Sequence, residues 1–461
     1  MVDYTTFLAQ KTIAARPAGF TVDVNRLSPH AFDYQRAITR WALHRGKAAI
    51  FARYGTGKTI IQLDWAHNVA DQTGGDVLIL APLAVAKQTE REGRKFDLPV
   101  TFCRSSTDLA PGVNVTNYEM IHKFDLRRFA GVVLDESSIL KHIGSSTREA
   151  LLAGFDQTPY KLACTATPSP NDYTELGGHS AFLNVMSASE MLSTFFFHDG
   201  GDTSKWTLMH HARESFWKWV SSWAVMMRTP ADLGFDASRY TLPALTMHEA
   251  IVESDDITEG YLFPMEALTL TDRRTARRSS LADRVQVAAD LANNSTDQWL
   301  IWCNLNDESA ALKAAIPDAV EVKGADSTDH KERAMMGFVD GSVRVLISKP
   351  SICGFGMNFQ NCHKMAFVGL SDSFEEMDQA IHRCHRFGQK HDVDCHIITS
   401  SQEGSVVRNI ERKRAQNQQM SDELAMHVAI NLDMAESARP TYHATSVIRI
   451  PSWLRSEELA S

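Results

Sequence analysis

The sequence predicts an α/β protein built from two tandem parallel-sheet lobes with a cleft between them. Two observations carry this prediction. Short apolar runs recur in two separate series, with helical patterns between most of them, as parallel sheets covered on both faces require. A glycine-rich turn also joins one of these runs to a helical stretch in the first series. The first series comprises Ala48–Ala52, Val77–Ala81, Val113–Thr116, Val132–Leu134 and Leu162–Thr165. The second comprises Trp299–Cys303, Val320–Val322, Val343–Ile347, Met365–Val368 and Cys395–Ile398. Any one run this short can also be buried helix, so the repeated order carries the assignment.

A chain of 461 residues has room for about two to three compact domains, each with its own core. Hydrophobic residues at 44% and charged residues at 22% place it among globular proteins rather than disordered or fibrous ones. The expected division is an N-terminal segment (1–29), a first lobe (30–243), a second lobe (244–431) and a C-terminal tail (432–461). The lobe boundary is set near Leu242-Pro243. An aromatic-rich helical region is expected at about 185–228, with Trp206, Trp217, Trp219 and Trp223 as packing core rather than a ligand cage. No run approaches the roughly 18 apolar residues of a membrane span. Met1 to Pro17 lacks a signal-peptide core, and the seven cysteines form no C-x-x-C pair, so a reducing, cytoplasmic setting is expected. The net charge of −9 argues against non-specific coating of nucleic acid but leaves room for a local basic cleft.

The strongest chemical signal is Ala52-Arg53-Tyr54-Gly55-Thr56-Gly57-Lys58-Thr59, between a strand-like run and a helical one. That is the setting of a phosphate-binding loop. Gly55 and Gly57 let backbone N–H groups turn towards phosphate oxygens, and the following helix presents its N-terminus to the same anion. Lys58 has the reach for β/γ-phosphates, and the Thr59 hydroxyl suits Mg²⁺. The strict pattern has glycine where Ala52 stands. In Gly131-Val132-Val133-Leu134-Asp135-Glu136, a strand ends in two acids. Asp135 is then placed to hold Mg²⁺ and Glu136 to polarise an attacking water. Upstream, the Gln35 amide offers donor and acceptor to an adenine edge, and the Tyr34 ring offers a stacking face.

Taken in order, these segments resemble superfamily-two helicases, and within them the Swi/Snf-type DNA translocase branch. The resemblance runs from about Phe32 to Gln389. Tyr34-Gln35 resembles the adenine-sensing element, Gly55–Thr59 motif I and Ala81-Pro82 motif Ia. Asp135-Glu136-Ser137-Ser138 is similar to motif II, and Thr165-Ala166-Thr167-Pro168 to motif III. The branch is suggested by Asn171 and Glu175, by Arg228-Thr229-Pro230-Ala231-Asp232, and by Gly354-Phe355-Gly356-Met357-Asn358-Phe359, which resembles motif V. Gln379-Ala380-Ile381-His382-Arg383-Cys384-His385-Arg386-Phe387-Gly388-Gln389 is similar to motif VI, Q-x-x-x-R-x-x-R-x-G-Q. Two positions depart from the pattern. Ser138 stands where this branch has histidine, at the position of the usual hydrogen-bond link from the nucleotide site to the interlobe surface, and Ala166 replaces a glycine.

The resemblance implies two RecA-like lobes that close on ATP with Mg²⁺, in a stand-alone bacterial or phage-type motor moving on duplex DNA. Arg383 and Arg386, three apart, would share one face of a helix and reach the γ-phosphate as fingers from the second lobe. Gly356 and Gln379 join the nucleotide-binding set. Nucleic-acid contacts are expected at strand C-terminal ends: Pro82, Thr116, Asn117, Tyr118, Thr167, Ser348 and Lys349. Arg273, Arg274, Arg277 and Arg278 form a basic cluster that is either part of that groove or a solvated face. His382, Cys384, His385, His391, Cys395 and His396 lack paired zinc-ligand spacings and are read as coincidence. The competing reading is an ATP-gated nucleic-acid clamp with little turnover, for which Ser138 is the best support.

Overall fold

The computed structural model describes residues 14–141, 144–199, 202–253, 278–353, 358–371 and 373–436. In the first lobe, α1 (Asp33–Arg45) precedes β1 (Lys47–Ala52), α2 (Lys58–Thr73), β2 (Val77–Ala81) and α3 (Leu83–Lys95). Next come β3 (Thr101–Phe102), β4 (Val113–Asn117), β5 (Gly131–Asp135), α4 (Ser146–Gly154) and β6 (Tyr160–Thr165). The lobe finishes with α5 (Leu176–Phe182), α6 (Ala188–Phe195), β7 (Phe196–Asp199), β8 (Asp202–Leu208), α7 (Arg213–Ser221) and β9 (Ala224–Met227). Seven of these strands form one sheet in the order β3-β4-β2-β5-β6-β1-β9, and every pairing in it is parallel.

The residue alternation explains why this sheet is covered on both faces. In β1, Ala48, Ile50 and Ala52 enter one core cluster, while Ala49 and Phe51 enter the other. In β2, Val77, Ile79 and Ala81 oppose Leu78 and Leu80 in the same way. Side chains alternate along a strand, so a continuous apolar run feeds both faces at once. Helices α1 and α2 cover the first face; Trp217, Trp219 and Trp223 are buried on the second.

The second lobe starts at β10 (Leu245–Val252) and α8 (Leu281–Asn293), followed by β11 (Trp299–Cys303), α9 (Asn306–Ala315) and β12 (Ala319–Val322). It continues with α10 (Thr328–Asp340), β13 (Val345–Ser348), α11 (Pro350–Cys353), β14 (Lys364–Val368), α12 (Phe374–Ile381), β15 (Val393–Ser400) and α13 (Gly404–Glu436). Its sheet is parallel throughout, in the order β10-β15-β14-β11-β13-β12. The change of sheet falls between Met227 and Leu245, the stretch that contains Leu242-Pro243. No helix among the described residues is long and apolar enough to cross a membrane.

Three features differ from the sequence expectations. The stretch 185–228 is helix, hairpin, helix and strand, because Phe196, Phe197, Trp206 and Thr207 are strand formers. Trp206 therefore lies in the antiparallel β7–β8 hairpin. Helix α13 continues past Leu432 to Glu436, beyond the expected start of the tail, and residues 437–461 lie outside the described residues. That helix also leaves its own lobe. Met420 and Leu424 are fully buried in the first lobe's core, and Arg213 and Arg228 pair with Glu423 and Asp422 at 2.6 and 2.5 Å.

Candidate active site

The loop after β1 turns through Gly55 and Gly57, at φ 81° and 82°, before α2 begins. No side chain caps α2; its N-cap is Gly57. The first N–H groups of the helix therefore keep the capacity to bind an anion. Behind the loop, Gln35 Nε2 donates to the Thr56 carbonyl at 3.0 Å and to Tyr34 Oη at 3.0 Å, and Gln35 Oε1 accepts from Phe32 N at 2.8 Å. Tyr34 Oη donates to the same Thr56 carbonyl at 2.7 Å. A Cβ on Gly57 would lie 2.2 Å from Gln35 Nε2, so the amide and the loop backbone are in direct contact. Tyr34 thus buttresses the loop from the core and is 3% exposed, rather than offering its face to the cleft. Gln35 retains one acceptor lone pair on Oε1, which suits an exocyclic amine.

Lys58, Asp135 and Glu136 meet in front of this loop. Lys58 Nζ donates to the Ala52 carbonyl at 2.8 Å and lies 5.2 Å over the Tyr54 ring. Asp135 Oδ1 accepts from Gln62 Nε2 at 2.8 Å and from Glu136 N at 3.2 Å; Tyr118 Oη holds the Asp135 carbonyl at 2.6 Å. Glu136 adopts φ 53°, a left-handed conformation that costs a side chain about 1–3 kcal/mol. Burial raises both carboxyls, Glu136 to about 7, and burial likewise lowers the Lys58 ammonium. Two buried acids facing one buried lysine favour the entry of further positive charge. Asp135 and Thr59 supply the oxygen donors that Mg²⁺ prefers, on the wall of the same cavity, so the residues fit that ion.

The second lobe completes the cavity, which has a volume of about 350 Å³. Gln35, Gly55, Gly57, Lys58, Thr59, Asp135 and Glu136 share its wall with Arg383 and Arg386. Thr56 is buried behind it. The two arginines do not lie on a helix as expected. Helix α12 stops at Ile381, and residues 382–388 form successive turns. Those turns are held by His382 Nδ1 donating to the His385 carbonyl at 2.8 Å and by Gln389 Nε2 donating to the carbonyls of Cys362 and Cys384 at 2.8 and 3.2 Å. Arg386 donates to Asn358 Oδ1, and burial lowers its guanidinium to about 10, still charged at neutral pH. Across the lobes, Arg53 Nη2 donates to His382 Nε2 at 3.3 Å, and the Tyr54 and His382 rings stack at 5.0 Å.

The expected nucleic-acid set does not come together. Pro82, Asn117 and Tyr118 line a second interlobe cavity of about 840 Å³. Thr116 is fully buried, the Thr167 hydroxyl donates to Glu375 Oε1 at 3.2 Å, and the Ser348 hydroxyl donates to the Val322 carbonyl at 2.9 Å. Their hydroxyls are directed into the protein. Lys349 is half-buried after β13. Gln379 lines the second cavity rather than the nucleotide cleft, with Nε2 at 3.5 Å from Glu375 Oε1. Glu119, Glu136, Glu375 and Glu376 face Lys141 on that wall, a balance that disfavours phosphate as it stands. Gly356, Arg273, Arg274 and Arg277 lie outside the described residues; Arg278 is exposed. Cys384 and Cys395 are buried in the second lobe's core.

Sequence reasoning missed the aromatic end of the cleft. Phe32 and Phe387 are 40% and 42% exposed, and Tyr240 lies 5.1 Å from Phe387 and 6.1 Å from Phe32. Phe387 was visible inside the motif VI block, whereas Tyr240 carries no local signal.

No curated protein matches the sequence. Among solved structures, the chain is similar to the Sulfolobus solfataricus SWI2/SNF2 ATPase core in complex with dsDNA, at 17% identity and a TM-score of 0.42. That alignment covers 90% of this chain and 97% of that one. Residues 283–388, from α8 through the arginine-bearing turns to Gly388, match the helicase conserved C-terminal domain.

Proposed function

We propose that this protein is an ATP-hydrolysing nucleic-acid motor whose two RecA-like lobes close on the nucleotide, with duplex DNA as its track. The observation that supports this reading best is that phosphate-loop, acidic and paired-arginine residues, spread over more than 300 positions of the sequence, line one cavity. The loop N–H groups and Lys58 bind the phosphates. Gln35 accepts from the exocyclic amine of adenine with its remaining lone pair; guanine presents a carbonyl there and is disfavoured. Glu136, once deprotonated, accepts a proton from the attacking water. Arg383 and Arg386 bring positive charge from the second lobe only when it docks, which ties turnover to closure. Mg²⁺ on Asp135 and Thr59 would neutralise developing phosphate charge. Release of phosphate weakens the hold on the arginines and reopens the cleft, and alternate gripping of a backbone by two lobes then moves the protein along its track. The choice of duplex DNA rests on the motif VI block, Gln379 to Gln389.

Steady-state ATP hydrolysis by the purified protein, alone and with single-stranded DNA, duplex DNA or RNA, tests this reading. Stimulation by duplex DNA is the expected result. Turnover indifferent to every nucleic acid overturns the motor assignment, and ATP binding without turnover replaces it with the clamp.

A further inference from the structure

Ser138 removes the histidine that would connect motif II to the interlobe surface, yet the lobes are joined close to that point by another group. Glu375, on the first turn of α12, accepts from three donors. Lys141 Nζ reaches its Oε2 from the short helical turn Ser137–Lys141 that follows Asp135-Glu136. Thr167 Oγ1 and Gln379 Nε2 reach its Oε1 at 3.2 and 3.5 Å. Lys141 and Thr167 belong to the first lobe and Glu375 to the second. The ion pair is largely screened from water, with side chains 14% and 10% exposed.

The Thr167 arm runs back to the catalytic acid. Thr167 N donates to Thr165 Oγ1 at 3.1 Å, and Thr165 Oγ1 donates to Glu136 Oε2 at 3.5 Å. From Glu375, α12 runs on to Ile381 before the chain turns to Arg383. One carboxylate is thus linked by hydrogen bonds to Glu136 and by a short rigid helix to the arginines. Opening the cleft strips Glu375 of Lys141 and Thr167 and leaves it with Gln379, so a poorly solvated charge loses two of its three partners.

We infer that Glu375, through Lys141 and Thr167, is the latch that couples lobe closure to the hydrolytic centre in place of the missing motif II histidine. It is a positioning residue: it touches neither nucleotide nor attacking water but sets the register of α12, and so of Arg383 and Arg386, against Glu136. The inference rests on the nucleotide reading of the cleft for its effect on turnover, but not for its effect on lobe docking.

The test compares wild type with Glu375→Gln, Lys141→Glu, Glu375→Lys and the charge-reversed double variant Lys141→Glu/Glu375→Lys. Glu375→Gln keeps the size and one acceptor oxygen, so it guards against a result due to misfolding. Docking is read in nucleotide-free protein by energy transfer between dyes on cysteines introduced at Gln72 and Met336, both exposed, one on each lobe. The seven native cysteines are buried and do not compete for label. Turnover and ATP affinity are then measured separately. Each single variant is expected to lower the closed population and to reduce kcat about tenfold, with ATP affinity changed less than about threefold. The reversed pair is expected to recover most of both losses. Single variants with wild-type transfer efficiency and kcat would overturn the latch, as would a reversed pair no better than its parents. If wild type itself fails to hydrolyse ATP, the nucleotide reading fails instead, and the energy-transfer series still decides the latch.

Discussion

Replacing Gly57 with alanine should damage the phosphate loop in a way the structure quantifies. Gly57 sits at φ 82°, where a residue with a Cβ pays about 1–2 kcal/mol. The new Cβ would fall 2.2 Å from Gln35 Nε2, far inside contact distance, so the amide must move. Moving it sacrifices its hydrogen bonds to the Thr56 carbonyl and Tyr34 Oη, at about 1 kcal/mol net each. The sum is about 3 kcal/mol. If the loop holds its place, the loss falls on the fold. At about 2–4 °C per kcal/mol for a lobe of this size, the melting temperature should drop by roughly 6–12 °C. If the loop yields instead, its N–H groups leave the phosphate positions, and ATP affinity should fall by about a hundredfold. Calorimetry of unfolding and of nucleotide binding, on the same samples, separates the two outcomes. Combining Gly57→Ala with Gln35→Ala removes the collision, so the double variant should be less impaired than the sum of the singles by about 1–2 kcal/mol. Wild-type melting together with wild-type ATP affinity in Gly57→Ala would refute the contact between Gln35 and the loop.

Other consequences are as direct. Arg386→Ala should leave ATP binding close to wild type while lowering single-turnover hydrolysis by about 10³ to 10⁵; an intact rate would separate the second lobe from the chemistry. Because burial lifts the Glu136 carboxyl to about 7, kcat/KM should rise as pH increases through that value, when the carboxylate becomes able to take a proton. Stability should run the other way. The folded-state value lies above the ordinary 4.5, so the stability that Glu136 contributes is complete below 4.5 and lost as pH rises through about 7. Glu136→Gln should flatten both profiles, and a pH profile that keeps its shape in that variant would assign it to another group. Met420→Ala, on the part of α13 that packs into the first lobe, should cost about 2–5 kcal/mol in urea unfolding. An unchanged midpoint would mean that α13 does not brace the first lobe.

Sequence alone determined the features whose physics is local. Two parallel sheets could be read because each buried strand is a short continuous apolar run, and β2 and β11 match the expected runs to the residue. The phosphate loop and the acid pair could be read because each is one contiguous string at a strand end. Edge strands β9 and β10 escaped notice: β9 is a short run inside an aromatic-rich stretch, and β10 mixes half-buried and exposed positions with none fully buried. Tertiary structure decided everything that depends on docking. Glu375 meets Lys141 across 234 positions, and α13 places Met420 in the core of the other lobe, with no periodicity to announce either. Arg383 and Arg386 leave helical spacing because His382 and Gln389 hydrogen-bond nearby carbonyls, bonds that compete with helix continuation. Tyr34 turned from the expected adenine platform into a loop buttress because its hydroxyl finds the Thr56 carbonyl within the core. Sequence names the groups that carry chemistry, but the direction in which a buried side chain points is set by the partners that satisfy its polar atoms, and those partners are chosen only when the elements pack.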